Sequence, residues 1–144
     1  MSGPRSTARI TSAVHGAAVV VRVEGDLDTG TVHLFHDGLR RAWESPGVRA
    51  VVIDVSALVF CDSRGLSELI TVLQRGQALD VRVMLSGVQG VLRRVLTITG
   101  LRNVFEQYET VSEALEKAAA AGPRRDRDGG EPDSGGLYET AEGR

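Results

Sequence analysis

Ser63 stands in the run Asp62-Ser63-Arg64-Gly65, where a short apolar connector gives way to a helical pattern. An oxygen-bearing side chain at such a junction can cap the helix by accepting from the free amides of the first turn. A hydroxyl exposed there can also take a phosphoryl group, whose negative charge the helix N-terminus favours. A nucleophilic serine would need a base beside it, and no histidine lies near Ser63 in the chain. Three carboxylates form a second group. Asp26 and Asp28 follow one β-branched run and Asp54 lies near the end of another. In a parallel sheet such positions share the C-terminal rim, where ligands bind. A phospho-accepting aspartate with magnesium would use acids like these, together with a lysine after a late strand. The only lysine, Lys117, falls in the last helical stretch, which argues against an aspartyl-phosphate receiver.

Other reactive side chains have plainer readings. His33 and His36, beside Asp37, would need a third metal ligand from another element; they read as solvent-facing residues flanking Val32, Phe35 and Leu39. His15 reads as a turn residue and Trp43 as packing. Cys61 is the single cysteine, which excludes a disulfide framework and a cysteine zinc cage. With only Arg64 as a basic neighbour, it reads as a buried, unreactive thiol. No metal site is assigned. Neither GxxxxGK[ST] nor GxGxxG after a strand occurs. Gly87-Val88-Gln89-Gly90 lacks a lysine and reads as a turn. Arg40-Arg41 and Arg93-Arg94 are too short for a nucleic-acid patch.

The elements that must position these residues follow from hydrophobic period. Ala17–Val23, AAVVVRV, is a strand bounded by Glu24-Gly25-Asp26, and Ile10–Val14 is a weaker one joined to it by a His15-Gly16 turn. Val32, Phe35, Leu39 and Ala42 mark a helix that Pro46-Gly47 ends. Ala50–Val55 is a buried strand, and Leu58-Val59-Phe60 reads as a connector. Leu66, Leu69, Ile70 and Leu73 form one helical stripe, so Leu69 and Leu73 are expected in the core. Asp80–Leu85 is a strand, and Val88, Val91, Leu92 and Val95 repeat the helical spacing up to a closing Gly100. Asn103-Val104-Phe105 reads as a short edge strand, and Val111, Ala114, Leu115 and Ala118 as a last helix. Serial strand–helix units imply right-handed crossovers and an α/β fold. The sheet is expected to be mixed and mostly parallel, with four to five strands, an N-terminal hairpin and about four helices.

Composition bounds the rest. The 144 residues are 42% hydrophobic and 25% charged, which suits one globular domain. Aromatics at 4% argue against a stacking platform for single-stranded nucleic acid, and a net charge of -2 against bulk attraction to nucleic acid or anionic lipid. No apolar run approaches the ~20 residues of a membrane span. Met1–Thr7 has no apolar core, so it reads as a flexible N-terminus and not as a secretory signal. A reducing, cytoplasmic setting is expected. Residues 8–121 hold the apolar residues of the core. Residues 122–144 contain 4 arginines, 6 acids and 6 of the 17 glycines, with Leu137, Tyr138 and Ala141 as the only apolar residues. That stretch is expected to be a disordered tail. No internal repeat is visible.

The stretch Val51-Val52-Ile53-Asp54-Val55-Ser56-Ala57-Leu58-Val59-Phe60-Cys61-Asp62-Ser63-Arg64-Gly65-Leu66 resembles the signature of a STAS domain, and more narrowly that of bacterial anti-sigma factor antagonists. Gly25-Asp26-Leu27-Asp28 resembles the G-x-L-D of that family, and Val95–Leu101 with Phe105 its helix–glycine–strand ending. The likeness covers roughly residues 10–120. It implies a non-enzymatic protein that binds an anti-sigma factor which is also a serine kinase. That partner, supplying ATP and magnesium, would phosphorylate the first serine of D-S-x-G, and a serine phosphatase would restore it. Carried over by motif, Ser63 is the phosphoacceptor, Asp62 its neighbour, Gly65 the motif glycine and Asp28 the acid of the adjoining loop. Arg64 departs from the family, where Ser, Thr or Ala is common; it could pair with a phosphate on Ser63 or alter partner choice. Three alternatives stand beside this reading: a STAS scaffold in another signalling assembly, a ligand- or lipid-binding STAS module, and a receiver or flavodoxin-like enzyme built on Asp26, Asp28 and Asp54.

Overall fold

The computed structural model describes residues 7–121. The expected tail at 122–144 lies outside the described residues. The chain runs β1 (Ala8–His15), β2 (Ala18–Leu27), α1 (Val32–Glu44), β3 (Ala50–Asp54), β4 (Leu58–Cys61), α2 (Ser63–Leu79), β5 (Arg82–Ser86), α3 (Gly90–Ile98), β6 (Glu106–Tyr108) and α4 (Val111–Ala121). The sheet order is β1-β2-β3-β5-β6, with β4 paired to β2 off that path. Only the β1–β2 hairpin is antiparallel. The α/β class, the hairpin, the parallel body and the four helices are those expected from the sequence.

Alternation along the strands makes two unequal cores. Val19, Val21, Val23, Val51, Ile53, Val83 and Leu85 face α1, α2 and α3, which contribute Phe35, Leu39, Leu69, Val72, Leu92 and Leu96. On the opposite face Ala18, Val20, Ala50, Val52 and Met84 meet Ala114 of α4. The small residues Ala18 and Ala50 allow a single helix to lie close on that side.

The sheet has six strands, one more than the upper expectation, because Leu58–Cys61 is a strand and not a connector. β2 also runs four residues further than its β-branched stretch, through Gly25 to Leu27. Gly25 has φ +93°, and the register to β4 shifts there. Its N–H donates to the Ala57 carbonyl at 3.0 Å. A Cβ at this position would stand 2.5 Å from the Thr7 carbonyl oxygen. This bulge lets β2 leave β3 after Arg22 and continue beside β4.

Two further expectations are corrected. The last strand is Glu106–Tyr108, not Asn103–Phe105. Phe105 is buried just before it, whereas Val104 is exposed in a turn. That turn follows α3, which closes as anticipated at Gly100: Gly100 N–H donates to Thr97 O at 3.2 Å and Leu101 N–H to Leu96 O at 2.8 Å. Those two bonds are the paired closure of a Schellman motif. On α2, Leu69 is fully buried but Leu73 is only partly so. Val72 and Gly76 take the inner positions instead, with a Cβ on Gly76 standing 2.5 Å from Val83 Cγ2.

Candidate functional site

The bulge in β2 decides which acids and hydroxyls meet. Leu27, the last residue of β2, pairs with Cys61, the last of β4. The Asp62 N–H then donates to the Leu27 carbonyl at 3.3 Å, and α2 starts at Ser63. Asp62 is the N-cap: its backbone is extended and its Oδ1 accepts from the Gly65 N–H at 2.9 Å. The Leu66 N–H donates to Asp62 O at 2.9 Å as the first helical bond. Ser63 is therefore the first helical residue, exposed, with capping done by its neighbour. Arg64 is exposed as well.

Gly65 is buried because the first turn of α2 lies directly on the end of β2. A Cβ there would collide with the Leu27 carbonyl oxygen and stand 3.0 Å from Cys61 Sγ. The glycine thus holds the Ser63 turn against the β2–α1 loop that carries Asp28.

Asp28 itself is turned inward, only 9% exposed. Its Oδ1 accepts from the Gly30 N–H at 2.9 Å, an Asx turn, and its carbonyl accepts from the Thr31 and Val32 amides. Thr31, 2% exposed, locks the same loop. Its hydroxyl donates to the Asp26 carbonyl at 2.7 Å and accepts from the Asp28 N–H at 3.0 Å. Thr31 is not among the residues whose type alone marks a site. The signal was present in Asp28-Thr29-Gly30-Thr31, an Asx-turn pattern followed by a hydroxyl residue.

The third carboxylate is elsewhere. Asp54 pairs in register with Arg22. Asp26 stands four residues beyond Arg22 on β2, roughly 13 Å along the strand at ~3.3 Å per residue. Asp54 is also occupied. Its Oδ2 accepts from Arg22 Nη1 at 2.9 Å, and its Oδ1 from the Ser56 N–H and Oγ at 3.0 and 2.7 Å. The three acids do not converge, so the magnesium–aspartate arrangement of a receiver is not assembled.

Cys61 is 3% exposed, and burial, with a smaller contribution from the Asp62 charge, pushes its thiol up to about 11. It is protonated at neutral pH, as an unreactive buried thiol should be. His36 is exposed, and its Nδ1 lies 3.5 Å from Glu68 Oε2 across the α1–α2 pair. Among the described residues no group of three or more His, Cys, Asp or Glu is placed to hold a metal ion.

The site is thus an exposed hydroxyl at a helix start, with no metal cluster assembled around it among the described residues. A serine hydroxyl is displayed at the N-terminus of the 17-residue α2, braced by a neighbouring loop, on a mixed sheet with helices on both faces. A family profile described as the STAS domain matches residues 9–114, and the chain belongs to that family. Among curated relatives, Rv2638 of Mycobacterium tuberculosis, provisionally described as an anti-anti-sigma factor, is 30% identical over 128 residues, 87% of this chain and 84% of that protein. The crystal structure of an anti-sigma factor antagonist from Mycobacterium paratuberculosis superposes with a TM-score of 0.70 at 26% identity, covering 78% of this chain and 95% of that one. The Bacillus cell fate determinant SpoIIAA in its phosphorylated form shares the fold, with a TM-score of 0.61 at 22% identity over 78% of this chain and 99% of that one.

Proposed function

We propose that the protein is an anti-sigma factor antagonist whose partner is an anti-sigma factor with serine kinase activity. Unphosphorylated, it binds that partner, and a sigma factor is released to direct transcription. The partner, with its own ATP and magnesium, phosphorylates Ser63 and so ends the interaction; a serine phosphatase resets it. On this reading the protein has no catalytic residue and no resident cofactor, binds neither nucleic acid nor membrane, and works in the cytoplasm. The description of Rv2638 and the likeness to the Mycobacterium paratuberculosis antagonist support the class. Among the described residues no helix is long and apolar enough to cross a membrane.

The observation that carries the reading is the division of labour at the start of α2. Asp62 does the capping, which leaves the Ser63 hydroxyl exposed and without a structural task. Arg64 offers a guanidinium to the partner beside it. Asp62, Gly65 and Asp28 act by shaping the surface: the first fixes the turn, the second lets it press on β2, the third holds the adjoining loop.

Phosphorylation adds about -1.5 to -2 charges at neutral pH. In the free protein the helix N-terminus and solvent accommodate that charge. In the complex it would be desolvated beside Asp62. A hundredfold weaker complex needs only about 2.8 kcal/mol, so no refolding is required. The test is a titration against a cognate anti-sigma factor kinase. Ser63→Ala should bind within about threefold of the unmodified protein, and Ser63→Asp at least tenfold more weakly. Equal affinity of both variants would refute the role of Ser63.

A further inference from the structure

A cleft of about 230 Å³ lies between α3 and the segment leading into β6, lined by Val88, Arg93, Leu96, Arg102 and Gln107. Val88 and Leu96 are buried and form its apolar side. Arg93 is anchored at the wall, because its Nη2 donates to the Val88 carbonyl at 2.9 Å. That bond uses one of the five N–H donors of a guanidinium and leaves its charge uncompensated. Gln107 Nε2 donates to the Arg102 carbonyl at 2.6 Å, which fixes the loop bearing the second arginine. Neither Arg93 nor Arg102 has a carboxylate partner among the described residues, and no acid lines the cleft. By contrast Arg22 and Arg82, which stand on the sheet, are paired with Asp54 and Glu106.

We propose that this cleft is a binding site for a compact oxyanion, a phosphate or phosphomonoester group, held between Arg93 and Arg102. Both arginines line one concavity, so an anion seated there would be attracted by two positive charges. Guanidinium groups suit tetrahedral oxyanions because their donors form a planar fork. The volume lies below the ~300–1,000 Å³ of ordinary small-molecule pockets. It is sized for a small group such as a phosphate. Ser63 does not line the cleft, and the proposal does not depend on the switch proposed above.

Backbone-amide NMR of the full chain, titrated at low salt with inorganic phosphate, phosphoserine and succinate in separate arms, tests this. Saturable shifts confined to residues 88–107 are expected with phosphate and phosphoserine, and weaker ones with succinate. Arg102→Gln should raise the apparent Kd at least tenfold, and Arg75→Gln, an exposed change on α2, should leave it unaltered. Tighter binding of phosphoserine than of phosphate identifies a phosphomonoester as the ligand; equal binding identifies the free ion. Shifts that do not saturate, or that survive Arg102→Gln unchanged, overturn the proposal. Thermal unfolding of Arg102→Gln without phosphate should match the parent, which separates loss of the site from loss of the fold.

Discussion

At the scale of single residues, the freedom of the Ser63 hydroxyl depends on which side chain caps α2. Asp62 accepts from the Gly65 amide, so Asp62→Ala should cost about 0.5–2 kcal/mol in chemical unfolding, whereas Ser63→Ala should stay within about 0.5 kcal/mol of the parent, as surface changes do. Comparable losses for the two would mean that the serine is structural. Gly65 sets two effects against each other. Alanine would favour the helix by up to about 1 kcal/mol on propensity alone. Its Cβ would meet a backbone carbonyl that cannot swing aside, and overpacking of that kind costs about 1–3 kcal/mol. The clash wins, and Gly65→Ala should be less stable than the parent. Cys61 should resist alkylation at pH 8 in the native protein and react readily in urea, because burial holds the thiol protonated. Its folded pKa lies above its unfolded one, so its contribution to stability is present below the unfolded value, near 9, and is lost as pH rises through about 11. The motif Asp62-Ser63-Arg64-Gly65 made the site visible in the sequence. It left open which of Asp62 and Ser63 caps, because both residue types favour that position. Nor could it show that Asp28 faces its own loop, since that depends on Thr31 closing the turn.

At the scale of elements, hydrophobic period recovers the four helices and four of the six strands, while Leu58–Cys61 reads as a connector and the last strand is placed three residues early. What it could not recover were the places where one strand changes partners. β2 passes through Gly25, a residue that ordinarily punctuates a strand, and only the bulge there makes room for β4. β4 keeps Val59 and Phe60 exposed, so it lacks the alternation by which a half-buried strand is read. The stripe on α2 was legible to within one position. The helix presents Leu69 and Val72 to the core and leaves Leu73 at its margin. Leu69→Ala should therefore cost about 2–5 kcal/mol, and Leu73→Ala clearly less. Equal costs would place Leu73 in the core after all.

At the scale of the whole molecule, the fold brings the end of β2, the end of β4 and the start of α2 together, and it leaves Asp54 apart on the sheet. That separation disfavours phosphoryl transfer to an aspartate, in keeping with the proposal that the exposed Ser63 is the acceptor. The most direct measurement is intact-mass and peptide mass spectrometry of the protein after incubation with the proposed anti-sigma factor kinase, ATP and magnesium. A single added phosphate on Ser63, absent in Ser63→Ala, is the predicted result. Phosphate on Ser56, Ser67 or an aspartate with Ser63 unmodified would contradict it.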